Sequence, residues 1–279
     1  MNLSRFLPDR WFICLQQLRR YGRLPDLHRP RTFHDKIQWY KLYVRDPLMT
    51  KAADKLAARD YVRDKGLAAL LNELLGVYDS PDTIDLRDLP SRFVLKANHG
   101  SNMNITCWDK STLDWSECRS RMRGWLATRH FEGAREWAYK HIQPRLLCEE
   151  YLDSDGELLD YKFYCFHGKP EMLLVCTGRH SESGLKYTAY NLNWQRLPVT
   201  KGRPAADFSI EKPATLTSMI EAAGRLSQDF LFVRVDFYEV AGRLVFGELT
   251  FYPDGGFHPF EPDSYNHAMG SLLKLPIRR

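Results

Sequence analysis

The chain has 279 residues, 44% hydrophobic and 13% aromatic, which excludes a disordered protein and allows one large domain or two small ones around a buried core. The 40 Lys+Arg against 35 Asp+Glu leave a formal charge of +5, a mild bias that suits anionic ligands such as nucleotides or acidic sugars and does not point to nucleic acid. The six cysteines, Cys14, Cys107, Cys118, Cys148, Cys165 and Cys176, form no C-x-x-C and no regular framework, so reduced thiols in a cytoplasmic protein are expected.

Residues 1–30 are rich in Arg and punctuated by Pro, and their pattern assigns them to no core. Their apolar patch, Trp11 to Leu15, is too short and too flanked by charge for a signal peptide, and no stretch reaches a membrane-spanning length. Thr32, followed three residues later by Asp35 and then by Ile37, Tyr40 and Leu42, predicts a capped helix. A second helix is predicted from Thr50 to a stop at Gly66, a strand over 92–98 and an amphipathic helix over 113–131. From about residue 145 the aromatic and β-branched segments RLLCEEYL, DYKFYCFHGKPEMLLVCTG and KYTAYNLN predict a largely antiparallel sheet. A helix over 215–230 precedes a final hairpin, VRVDFYEVAGRLVFGELTFYPDGG, at 233–256. The expected class is α+β in two lobes.

That hairpin plants an acid in the middle of each strand, Asp236 and Glu248. Alternation puts Arg234, Asp236 and Tyr238 on one face, and Phe246, Glu248 and Thr250 on one face of the returning strand. A two-residue loop at Ala241-Gly242 would set Asp236 opposite Gly247; a three-residue loop, Ala241-Gly242-Arg243, sets it opposite Glu248. Facing carboxylates need a cation or a shared proton between them, and a hard divalent ion such as Mg²⁺ is suited to that place. A solvated hairpin face with two incidental acids is the bland alternative.

Two further segments carry chemistry. RFVLKANHGSNMN ends a strand on Lys96 and enters a small-polar loop, Asn98 to Asn104, where an ammonium beside backbone amides could hold a polyphosphate, although the P-loop pattern is absent. LLCEEYLDSDGELLDYKF ends a strand at Glu149-Glu150-Tyr151-Leu152 and begins another with Asp160 and Lys162 on one face; such a strand end could hold an adenine edge, and the acid a ribose. There is no G-x-S-x-G, no H-E-x-x-H and no Cys/His pairing of a recognisable kind. His99, His258 and His267 are candidate proton shuttles better explained as structural histidines; Arg179 and His180 could line an acceptor site.

Taken in order, FHDKIQWYKLY, DKLAARDYV, FVLKANHGS, EEYL, DYKFYCFHGKP, FVRVDFYEV and FGELTFYPDGG resemble the TupA-like branch of the ATP-grasp superfamily, associated with teichuronopeptide and other cell-surface polysaccharide synthesis, from about Arg31 to the C-terminus. The resemblance implies ATP held between two α+β lobes, with 1–50 a helical N-terminal region, 51–148 the first lobe and 149–279 the second, and an ATP- and Mg²⁺-dependent ligase that joins a carboxylate to an amine through an acyl phosphate. It makes Lys96 and Lys162 phosphate-contacting lysines, Glu149, Glu150, Tyr151 and Leu152 the adenine hinge, and Asp160 the ribose contact. Asn98, His99, Gly100 and Ser101 fall in the phosphate-covering loop, Asp236 and Glu248 become metal ligands, and Arg234, with Lys162, steadies the transferred phosphoryl group. Many ATP-grasp enzymes have E-x-N where this chain has Glu248-Leu249-Thr250, which leaves Thr250 as the third metal ligand. The implied substrates are an acidic sugar or glycan and an amino acid or amine. The alternatives are an ATP-grasp phosphotransferase and a metal-dependent glycosyltransferase using the D-x-D at Asp153-Ser154-Asp155, which also reads as turn punctuation.

Overall fold

The computed structural model describes residues 6–154, 156–179, 181 and 184–276. Helix α1 (Asp9–Tyr21) takes up much of the Arg-rich segment that the pattern left unplaced, and it buries Phe12 and Ile13. Helix α2 (Phe33–Tyr43) starts where expected: the Thr32 hydroxyl accepts from the Asp35 amide at 3.1 Å and donates to the Asp35 carboxylate at 3.0 Å. The single helix predicted over 50–66 is two, α3 (Pro47–Ala53) and α4 (Ala58–Asp64). Asp54 separates them: its backbone is extended, and its carboxylate accepts from the Leu56 amide at 2.8 Å, competing with the helical ladder. The helix predicted over 113–131 is likewise shortened to α5 (Trp115–Ala127), capped by Asp114, followed by the short α6 (His130–Ala134).

Among the described residues nine strands form two antiparallel sheets. In the first, β1 (Leu74–Tyr78), β2 (Phe93–Ala97), β3 (Asn104–Cys107) and β4 (Leu146–Glu150) lie in the order β1-β4-β2-β3. β4, expected to open the later sheet, pairs instead with these earlier strands. The second sheet contains β5 (Asp160–Phe166), β6 (Lys169–Thr177), β7 (Lys186–Asn191), β8 (Phe232–Val240) and β9 (Arg243–Thr250) in the order β7-β6-β5-β8-β9. Phe93, Leu95, Ala97, Ile105, Leu146 and Cys148 join Cys118 and Met122 of α5 in a small core under the first sheet. The larger core joins the second sheet to α2, α3, α4 and α7 (Leu216–Ser227), with the ring of Phe33 packed against Phe260 and against Tyr164, Phe166 and Phe232, which share a sheet face with Lys162 and Arg234. The last helix, α8 (Asp263–Leu272), packs on α2. The six cysteines carry free thiols, five of them buried.

Candidate active site

Asp236 pairs with Glu248 across β8 and β9. The turn that produces this pairing is not the three-residue one. Val240 pairs with Arg243, so the loop is the two residues Ala241-Gly242, both with positive φ (49° and 73°), as a type I′ turn requires. A regular ladder from that turn would carry Gly247 to Asp236. Phe237 pairs with Phe246, however, and the next pair is Asp236 with Glu248, so Gly247 is the extra residue of a β-bulge. The bulge also corrects the expected face of Phe246: paired with Phe237, it lies on the opposite side of the sheet from Glu248 and Thr250. A Cβ at Gly247 would sit 3.0 Å from the Asp236 carbonyl oxygen, a backbone atom, which is why the bulge carries glycine.

The carboxylates sit in a tight ion network. Arg234 donates from Nε to Asp236 Oδ1 at 2.7 Å and from Nη2 to Oδ2 at 2.5 Å, a fork-to-fork pair between residues of like face. Its Nη2 also reaches Thr250 Oγ1 at 3.1 Å and Glu248 Oε1 at 3.3 Å. Lys162 of β5, paired directly with Asp236, donates to it at 2.7 Å and to Asp160 at 2.5 Å. Arg179 adds a second cation to Asp160 at 2.7 Å. Burial opposes the Lys162 charge, but Asp160 and Asp236 outweigh it and hold the ammonium protonated well above its ordinary range. Burial likewise raises the pKa of Glu248, yet Lys55, Arg234 and Lys162 overcome it and hold that carboxyl well below the usual carboxylate range.

A matching cluster lies on the first sheet. Lys96 donates to Glu149 at 2.6 Å and Arg59 donates to its other oxygen at 3.2 Å. Lys55 joins the two sheets: its Nζ lies 3.2 Å from Glu248 and donates to the Gly100 carbonyl at 2.7 Å. Neither Lys55 nor Arg59 was singled out in the sequence reading. Lys55 sits in the turn that precedes α4 and Arg59 in the first turn of that helix, so their positions are set by the turn after Asp54 and not by helical spacing. Six side-chain cations thus stand against four carboxylates, Glu149, Asp160, Asp236 and Glu248, an imbalance that a bound polyanion would correct.

The remaining candidates divide. Asn98 is buried as a joint: its side chain donates to Asp54 and to the Gln143 carbonyl and accepts from the Arg145 amide. His99 is turned into the end of α5, its Nε2 lying 3.1 Å from the carbonyls of Trp125 and Thr128, and burial lowers its pKa; a cofactor would meet its backbone and not its ring. Ser101 is exposed and the neighbouring Asn102 takes the left-handed conformation (φ 58°). At the strand end, the Glu150 amide donates to the Glu73 carbonyl at 3.1 Å and its own carbonyl accepts from Asn72 at 2.7 Å. The Tyr151 ring packs edge-on to Trp108 and under the Arg92 guanidinium, and Leu152 is half-buried. His258 and His267 are not within the ion network; His267 lies 3.5 Å from exposed Asp263. His180 and Asp155 lie outside the described residues.

Among the described residues no group of three or more His, Cys, Asp and Glu side chains is arranged as a metal cage. Mg²⁺ is commonly held by only one or two carboxylates, its shell completed by phosphate and water. Glu248 fits: its side chain is 31% exposed and its cationic contacts, at 3.2 and 3.3 Å, are longer than those of Asp160 and Asp236. Asp236 is buried, but Oδ1 takes a single donor and keeps a lone pair. Asp160 Oδ1 is buried without a hydrogen-bond partner, and a ligand hydroxyl would satisfy it.

Two antiparallel sheets bridged by this cation-rich network, with R-x-D on one strand answered by E-x-T on the next, define a protein of the ATP-grasp class. The chain belongs to the TupA-like ATP-grasp family, whose model matches residues 35–274. It is similar in structure to D-alanine–D-alanine ligase from Bacillus anthracis complexed with ATP (16% identity, 72% of this chain and 55% of that chain covered, TM-score 0.43). The corresponding values for D-alanine–D-alanine ligase from Helicobacter pylori are 13%, 81%, 61% and 0.45, and for L-amino acid ligase from Bacillus licheniformis 12%, 88%, 55% and 0.45. The chain therefore spans 55–61% of the length of these proteins. No curated protein sequence matches it.

Proposed function

We propose that this chain is an ATP-dependent carboxylate–amine ligase that attaches an amino acid or amine to an acidic sugar of a cell-surface polysaccharide, in the cytoplasm. The observation that carries the reading is the Asp236–Glu248 pair with Lys162, Arg234 and Lys55 around it, in a chain of the TupA-like ATP-grasp family. The first lobe (51–148) and second lobe (149–279) would clasp ATP, with 1–50 as a helical flank. Lys96 and Lys162 would contact phosphates, the backbone of 98–101 would cover them, Glu150 to Leu152 would hold adenine beside Glu149, and Asp160 would take a ribose hydroxyl.

Glu248, Asp236 and Thr250 would hold magnesium, which supplies charge neutralisation between the phosphate oxygens. The rest is work for side chains already in place. Lys162 and Arg234 are charged and fixed by buried partners before any ligand arrives, so they stabilise charge developing on the transferred phosphoryl group without reorganising. The nucleophiles belong to the substrates: the carboxylate attacks the γ-phosphorus and ADP leaves, then the amine attacks the acyl carbon, loses its proton and expels phosphate. The protein contributes position and a water-poor setting that protects the acyl phosphate.

The test is incubation with Mg-ATP, a uronic acid and a panel of amines. ADP and phosphate formed in step with an amide support the ligase. ADP with a phosphorylated sugar supports a phosphotransferase instead, and consumption of a nucleotide sugar without ATP overturns the assignment in favour of a glycosyltransferase.

A further inference from the structure

Helix α1 has two apolar sides. The inner one, Phe12 and Ile13, is buried against the protein, with Arg135 over the Phe12 ring at 4.5 Å. The outer one is not. Trp11, Leu15 and Leu18 recur at i, i+4 and i+7, and they are 64%, 44% and 46% exposed, a stripe along one face of a surface helix. Of the nine large apolar side chains exposed among the described residues, seven lie between residues 6 and 24. Exposed apolar side chains are thus concentrated on this one segment, with the Trp11, Leu15 and Leu18 stripe at its centre, and such concentrations mark interaction surfaces.

Charge selects the partner. At 100° per residue, Arg10 falls on one side of the stripe and Arg19 on the other, both exposed. The single acid of the helix, Asp9, lies on the inner side, 3.4 Å from Arg135. An apolar stripe with an aromatic residue, bordered on both flanks by arginines and free of outward acids, matches a bilayer interface: the stripe enters the acyl boundary and the guanidinium groups reach anionic headgroups. No helix among the described residues is long and apolar enough to cross a membrane, so the helix would lie on the surface. We infer that α1 docks this protein on an anionic lipid bilayer.

The placement of α1 gives the contact a consequence. Arg20, on the inner side, stacks over Phe257 at 4.6 Å, and α2, against which α1 packs, donates from Gln38 and Lys41 to the carbonyls of Gly256 and Gly255. The loop at 253–257 directly follows Thr250 of the hairpin. Helix α1 is thus joined, through Arg20 and α2, to the loop that follows the hairpin. The docking inference does not depend on the ligase reading.

The experiment is flotation of the whole protein with vesicles of phosphatidylcholine alone and of phosphatidylcholine with about 30% phosphatidylglycerol. The wild type is expected to float with the anionic vesicles at least about tenfold better than with the neutral ones. Trp11→Ser/Leu15→Ser/Leu18→Ser and, separately, Arg10→Gln/Arg19→Gln are each expected to lose that binding about tenfold, as is the wild type in about 0.5 M salt. Unchanged far-UV circular dichroism of both variants separates lost docking from lost folding, and should the serine variant unfold, the arginine pair and the salt series decide. Wild-type protein that floats with neither vesicle, or binding insensitive to both the arginine pair and salt, overturns the proposal. So does a wild-type dimer without lipid binding that the serine variant turns into a monomer, because a second copy would then cover the stripe.

Discussion

Asp236 and Glu248 face each other across β8 and β9 although the turn between them is one residue too short for a regular ladder to align them; Gly247, bulged out of β9, makes up the difference. The same bulge leaves Phe246 with the apolar face and Thr250 with the charged one. One local irregularity thereby sorts the two sides of the strand.

The two acids should respond differently to loss of charge. Asp236 is buried against Arg234 and Lys162, so Asp236→Asn leaves two cations without their anion and should cost about 3–5 kcal/mol of unfolding free energy, measured in urea. Glu248→Gln, at a partly exposed site, should change stability by no more than about 1 kcal/mol while ATP turnover falls about 10²–10³-fold. Wild-type turnover in Glu248→Gln would remove the metal assignment.

The hairpin turn carries a correctable strain. Ala241 holds a left-handed conformation (φ 49°) that suits Asn or Gly. Ala241→Asn should raise stability by about 0.5–1 kcal/mol, read from the urea midpoint. Gly247→Ala should act in the opposite sense, because its Cβ would press on the Asp236 carbonyl, and turnover should fall with it. A stabilised Gly247→Ala protein would rule out the bulge as described.

Lys55 is the cation that reaches Glu248 from the other sheet. Its replacement, Lys55→Met, removes a principal influence holding the Glu248 carboxyl ionised against burial. Protonation of Glu248 then begins at a higher pH, and the acid limb of the turnover profile should move upward relative to wild type. An acid limb that stays in place would show that Glu248 does not control it.

Lys41 is buried in α2 and donates to the carbonyls of Ala134 and Gly255, two acceptors that a neutral amine with two N–H groups can satisfy. Burial, opposed by Glu136, lowers its pKa to about 7. The unfolded chain, with an ordinary lysine, therefore binds the proton more readily between pH 7 and about 10.4, and stability contributed by this group rises with pH across that window by up to about 1.4 kcal/mol per unit. Lys41→Met should flatten the rise. An unchanged slope in chemical denaturation from pH 7 to 10 would refute the buried neutral amine.

Much of this protein was legible in order along the chain. Thr32 and Asp35 named a helix start because a cap is a contact over three residues; the alternation in FVRVDFYEV named a strand and put Arg234 beside Asp236 because side chains two apart share a face. Lys162 and Asp160 were paired for the same reason. What could not be read was whatever depends on residues distant in sequence. The bulge at Gly247 arises only when β9 is laid against β8, the split at Asp54 only when Asn98 and the sheet loop receive that aspartate, and the approach of Lys55 to Glu248 only when two sheets meet. His99 looked like a ligand in its loop and became a peg under α5, because burial against two carbonyls is decided by packing. Short-range geometry is written in periodicity and caps; charge compensation across a buried joint is a property of the folded chain, since each cation finds its carboxylate only after the strands that carry them are paired.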